Sequence, residues 1–253
     1  MKKAVILLSS IILSLAILLP IAARGLFGTT IHYGYRLHVR LNSPTGVLAG
    51  SSLYVLNAAR GRPYVTGGGS YMWGEAIVLT ASSGKKIVVA VPDNEFPRSV
   101  FDVKISYEEI EKGHSISSEL ADIHEGSKVA LDVRNLPPIF TFDDVNDPSS
   151  VKVLRYSRGP VQIDRFDEVM GQGWGFLGAQ IEMISVPSWH YLFFGTNWIP
   201  YWISSRHSQG ESPRNVFKWL TSTPALDSFD KAWTQQTEPE IGPRVGRFYR
   251  QGW

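Results

Sequence analysis

The residues of this chain with chemical potential are scattered along it. Gly173-Trp174-Gly175-Phe176-Leu177-Gly178 matches the G-x-G-x-x-G pattern of dinucleotide sites letter for letter. Such a site needs its glycines after a strand and at the start of a helix, where free N–H groups meet the pyrophosphate. Here the helical pattern comes first and the strand pattern follows, so the glycines read as helix terminators and turn formers. Asp143, Asp144, Asn146 and Asp147 suggest a calcium loop, but Pro148 interrupts them and the central Gly and closing Glu are missing. Turn-forming Asx chemistry is the better reading.

The 6 histidines are His32, His38, His114, His124, His190 and His207. His124-Glu125 begins like a zinc-protease signature, yet Lys128 stands where the second histidine belongs. No G-x-S-x-G elbow marks a nucleophilic serine. Gly84-Lys85 lacks the remaining residues of a phosphate loop and reads as a hairpin turn. Glu108, Glu109 and Glu111 read as a solvated face. With 0 cysteines, disulfides and thiol chemistry are excluded. A net charge of +2 gives no footprint for nucleic acid. No motif calls for a catalytic residue, a cofactor or a metal.

The elements that must position any site are mostly strands. Tyr35, Leu37, Val39 and Leu41 alternate with Arg36, His38 and Arg40, the period of a half-buried strand, which makes His38 outward-facing. A turn at Asn42–Gly46 leads to a second strand near Ser51–Asn57. Gly61 to Gly69 reads as a surface loop. Ala76–Ala81 and Ile87–Val91 form a hairpin around Ser82–Lys86. A short helix capped at Ser117 or Ser118 precedes another alternating run, Lys128–Val133. Leu136 to Leu154 is the most distinctive stretch: two prolines, an in-and-out strand at Ile139–Phe142, an Asp/Asn/Pro turn, and a further strand from Val151. Asp164–Met170 reads as one or two helical turns with Phe166 and Val169 inward, and Ala179–Val186 as a strand. With 43% hydrophobic residues, 23 glycines and 15 prolines, the pattern predicts a mainly β fold. Its form is an antiparallel sheet or sandwich with short helices, with α+β as the alternative. The crossovers of a parallel sheet are missing.

Lys2 and Lys3 precede an uncharged apolar run from Ala4 to Ala23, about the length that spans a bilayer as a helix. Residues 1–24 therefore read as a signal anchor, with a cleaved signal peptide ending near Ala22-Ala23 as the alternative. The anchor predicts a single pass of the inner membrane with the bulk of the chain in the periplasm. Tyr35–Val39, the Ser43-Pro44-Thr45-Gly46 turn, Gly50-Ser51-Ser52, Gly74-Glu75-Ala76, Leu136-Pro137-Pro138, Asp143 and Asn146-Asp147-Pro148 resemble an uncharacterised family of proteobacterial proteins. The resemblance runs from about Tyr33 to Val186. It implies an amino-terminal membrane segment and a β-rich exported domain, here residues 33–186, with no assigned activity.

Residues 187–236 form an aromatic-rich segment expected to pack short helices on that domain. Trp189, Trp198, Tyr201 and Trp202 lie in it as a candidate partner-binding patch, the alternative being a cap on the β core. Ser212-Pro213 marks a helix start with Val216, Phe217 and Leu220 inward, and a second helix is expected over Asp227–Trp233. Residues 237–253, with Arg244, Arg247 and Arg250, read as a flexible tail. The functional expectation is a membrane-anchored protein whose periplasmic domain binds another envelope component. A periplasmic hydrolase using separated Asp/Glu and His residues is the alternative, with a soluble ligand carrier if the signal is cleaved.

Overall fold

The computed structural model describes residues 29–60, 70–92, 100, 123–132, 136–158, 161–184, 211–237 and 249–250. The first strands are β1 (Thr29–Ser43), β2 (Gly46–Arg60), β3 (Ser70–Glu75), β4 (Ile77–Thr80) and β5 (Lys86–Val89). Next come β6 (Lys128–Ala130), β7 (Ile139–Phe142), β8 (Val151–Arg158) and β9 (Val161–Asp164). Helix α1 (Phe166–Met170) leads into β10 (Gly175–Ile184). Helices α2 (Pro213–Val216) and α3 (Thr223–Thr234) precede the two-residue β11 (Tyr249–Arg250).

The fold is mainly β. One sheet has six strands in the order β11-β3-β2-β1-β10-β6, the other five in the order β4-β5-β7-β8-β9, and every described pair is antiparallel. Only Ala76 separates β3 from β4, so the chain changes sheet there almost without a loop. Buried residues of both sheets form one cluster.

β1 behaves as its alternation requires: Tyr35, Leu37, Val39 and Leu41 are fully buried in that cluster. Its partner β2 is longer than the sequence pattern suggests. It pairs with β1 residue for residue from Ser43↔Gly46 to Thr29↔Arg60, and this ladder carries Gly, Ala and Ser positions of poor strand propensity. Gly46, at φ +124°, supplies the backbone that closes the turn. The hairpin of β4 and β5 matches expectation, with Thr80 opposite Lys86 and Gly84 at φ +83°.

β7 departs from the expected in-and-out pattern. All four of its residues are buried. The reason is the C-terminal part of the chain, which lies on the outer side of this sheet. Phe140 meets Phe229 and Trp233 of α3 at ring separations of 5.8 and 5.4 Å. Phe142 meets Phe217 at 5.0 Å and Trp219 at 5.8 Å. Thr141 is satisfied by donating to the Lys86 carbonyl at 2.7 Å.

Two further ties hold this layer. The Gln236 carboxamide donates to the Val151 carbonyl at 2.7 Å and accepts from the Val153 N–H at 3.0 Å. It thereby mimics one residue of a neighbouring strand where β9 does not reach. Glu211 bridges to Val78 on the edge strand β4 and accepts from Thr80 and Lys86. Ser212 does precede α2, but its hydroxyl donates to Glu75 at 3.4 Å instead of capping the helix. α3 starts at Thr223, four residues earlier than expected, with a proline in its first turn. In the 237–253 segment, Tyr249 and Arg250 pair with Glu75 and Gly74. No helix of the described residues is long and apolar enough to cross a membrane, and residues 1–28 lie outside them.

Candidate functional site

A cleft of about 580 Å³ opens between the two sheets, where the end of β8, β9 and α1 face the start of β10. Its position follows from local sequence. β8 buries Val153, Leu154 and Tyr156 and carries Arg155, which β9 sets opposite Asp164. The Arg165 N–H donates to the Leu154 carbonyl at 2.8 Å, fixing where α1 begins, and Phe166 anchors it in the core. The helix ends where the Gly171 N–H reaches Asp167. Gly171 and Gly173 then adopt φ +93° and +86°, turning the chain into β10. The Asn42 side chain holds this turn by donating to the Gly173 carbonyl at 3.1 Å. Trp174 and Phe176 are thereby delivered to the far wall.

The charges in the cleft are engaged with one another. Arg155 pairs with Asp164 at 3.0 Å, and its guanidinium lies 5.1 Å over the Phe176 ring. Arg165 makes a two-pronged contact with Glu168, through Nε at 2.8 Å and through its terminal nitrogen. That hydrogen bond holds the Glu168 carboxyl below its usual range and raises the Arg165 guanidinium above its own. Asp167, exposed at the rim, has no ion-pair partner among the described residues.

A second polar group sits on the outer face of the six-stranded sheet. His38 of β1 contacts Glu182 of β10 at 3.1 Å, and Lys128 of β6 reaches the same carboxylate at 3.4 Å. Burial pushes the Glu182 carboxyl up, but the bonds from His38 and Lys128 more than reverse this and hold it below the usual range. Ser51 of β2 is the cross-strand neighbour of His38. Its hydroxyl is buried without a hydrogen bond, as is Arg36 Nε. Serine, histidine and carboxylate thus share one face, but His38 does not hold the Ser51 hydroxyl, so this is not an assembled nucleophile–base pair. His38 is outward, as its strand position requires, but it is hydrogen-bonded to Glu182 and only partly exposed.

The remaining candidates separate clearly. Trp189, Trp198, Tyr201 and Trp202 lie outside the described residues. The Asp144 and Asp147 carboxylates accept from the N–H groups of Asn146 and Ser149, both at 2.9 Å, which is the Asx-turn role. Asp143 instead pairs with Lys152 at 2.6 Å. Among the described residues, no three His, Cys, Asp or Glu side chains gather as a metal site. Of the glycine-rich segment, Gly175 and Gly178 belong to β10, which starts earlier than the expected Ala179. The helix–turn–strand order denies a pyrophosphate its helix terminus. His124 is exposed in a turn.

Sequence reasoning missed the cleft. Its local signals were the Arg165/Glu168 spacing, three residues apart at the start of α1, and the aromatics between the glycines. Neither shows that β10 of one sheet meets β8 of the other. Compared with protein-family models, curated proteins and solved structures, the chain finds no match.

Proposed function

We propose that the chain is an envelope protein, held to the inner membrane by residues 1–24, whose periplasmic β domain binds another envelope component. The observation that carries this reading is the Lys2-Lys3 pair with its uncharged run to Ala23, placed directly ahead of a two-sheet β body. The resemblance to exported proteobacterial proteins belongs to the same reading. In it, Trp189, Trp198, Tyr201 and Trp202 contact the partner, since Trp and Tyr combine a large apolar face with a polar tip.

Two measurements test the proposal. Intact mass of the chain recovered from membrane and soluble envelope fractions should show the full length in the membrane fraction. A species beginning near Arg24 in the soluble fraction would instead favour the cleaved-signal carrier. Replacing Trp198 and Trp202 with Ala should weaken crosslinking to the partner in cells, and unchanged crosslinking would remove the aromatic patch.

The hydrolase alternative needs carboxylates and a histidine in one concave site. The cleft gathers Asp164, Asp167 and Glu168, while His38 and Glu182 lie on the outer face of the other sheet. Of the two histidines whose side chains are described, His38 and His124, neither lines the cleft.

A further inference from the structure

The cleft between the sheets has a lining with a definite chemical bias. Its two arginines are locked, Arg155 by Asp164 and the Phe176 ring, Arg165 by the two-pronged contact to Glu168. Locked pairs keep donors and acceptors pointing in fixed directions while cancelling most of their charge. A site for a phosphate would leave a cation unpaired instead. The free carboxylate of Asp167 adds acceptors and argues further against an anion. Trp174 lines the same space, next to Phe176, whose ring carries the Arg155 guanidinium. Sugar rings present apolar C–H faces and hydroxyl edges, so they suit an aromatic shelf flanked by fixed polar groups. The volume, about 580 Å³, lies in the range of small-molecule sites.

We infer that the cleft is a saccharide-binding site for a short neutral oligosaccharide, with one ring lying on Trp174 and its hydroxyls bonded to the cleft carboxylates and arginines. This rests on the envelope reading, because it names a glycan as the component bound. Trp174 is the specificity-determining residue, and Asp167 the one carboxylate free to bond hydroxyls on all its lone pairs.

The test uses the full-length chain, purified in a non-glycosidic detergent so that no sugar headgroup competes. Calorimetric titration is run with trisaccharides of β-1,4-linked glucose, β-1,4-linked N-acetylglucosamine and α-1,4-linked glucose. At least one should bind saturably. Trp174→Ala should weaken that binding by about tenfold or more, Trp174→Phe should retain most of it, and Asp167→Asn should weaken it less than Trp174→Ala does. Asp167 is exposed, so its variant should unfold as the parent does; Trp174 packs partly against the core, so Trp174→Ala is titrated well below its own unfolding midpoint. Arg40→Ala, on the outer face of the other sheet, should bind as the parent does. No saturable binding of any of the three sugars overturns the inference, and so does a Trp174→Ala variant with parental affinity. Fractionation reads the membrane anchor independently. A soluble chain that binds sugar loses the anchor and keeps the cleft, and a membrane-held chain that binds none does the reverse.

Discussion

Strands β1 and β7 are buried in different ways. In β1 Tyr35, Leu37, Val39 and Leu41 have no exposed surface, while Arg36 and His38 are partly buried and Arg40 is open to water. In β7 all four residues are buried, because α3 and the segment before it lie behind them. The difference teaches that a strand's pattern reports what lies behind its sheet as much as the strand itself. A polar residue in β7 has to find a partner inside the protein, as Thr141 does, whereas in β1 Arg40 meets water and His38 bonds Glu182 at the surface.

The largest effect should come from breaking the two-sided burial. Phe140→Ala removes a ring packed on Phe142, Phe229 and Trp233 and should cost about 3–5 kcal/mol. Arg40→Ala on the outer face of β1 should stay within about 0.5 kcal/mol of the parent. Denaturant unfolding of both variants measures the contrast, and equal losses would dissolve it. On the six-stranded side the tightest point is Gly74, where an added Cβ would stand 2.1 Å from the Tyr54 ring. Gly74→Ala should cost about 1–3 kcal/mol. A double-mutant cycle with Tyr54→Leu should recover part of that loss, and strict additivity would refute the clash.

Gln236→Ala strips a strand-mimicking carboxamide from β8 and should cost about 1–2 kcal/mol. Hydrogen exchange at the Val153 amide should accelerate with it, and unchanged protection would show that the side chain is dispensable. Smaller again is a pH effect on α3. Burial, with help from Asp227, pushes the Asp230 carboxyl up from 3.8 to about 6, and one of its oxygens is buried without a hydrogen bond. The folded state therefore favours the protonated acid. Stability is full below about pH 4, falls as pH rises towards 6, and stays lower above that. Because the group is only partly buried, screening reduces the penalty to about 1 kcal/mol. Asp230→Asn should be more stable by that amount at pH 7 and no different at pH 3.5, as thermal melts at both pH values would show.

How much of the molecule is legible in the sequence follows the same contrast. β1 is legible because Arg36, His38 and Arg40 are more exposed than Tyr35, Leu37, Val39 and Leu41, so the alternation survives in the folded chain. The hairpin of β4 and β5 and the Asx turn after β7 are legible because their signals are local: Gly84 and the Asp144 and Asp147 side chains act within a few residues. β7 misleads because its second cover arrives from residues 217–233. The full length of β2 is hidden because pairing with β1 overrides weak propensity. The cleft is hidden because Arg155 and Phe176 meet only through the arrangement of two sheets, and no spacing rule joins them.

The ties made by Glu211 and Gln236 bear on how the chain reaches this state. Glu211 closes the β4 edge from 131 residues downstream of Thr80, and Gln236 completes β8 from 83 residues beyond Val153. At the usual pace of synthesis, each hydrogen-bonding edge waits on the order of ten seconds for the residue that closes it. Such distant pairing also makes for slow folding. Until residues 211–236 emerge, the nascent chain carries open strand edges that can recruit other chains, so a chaperone that shields them should raise the yield of folded protein.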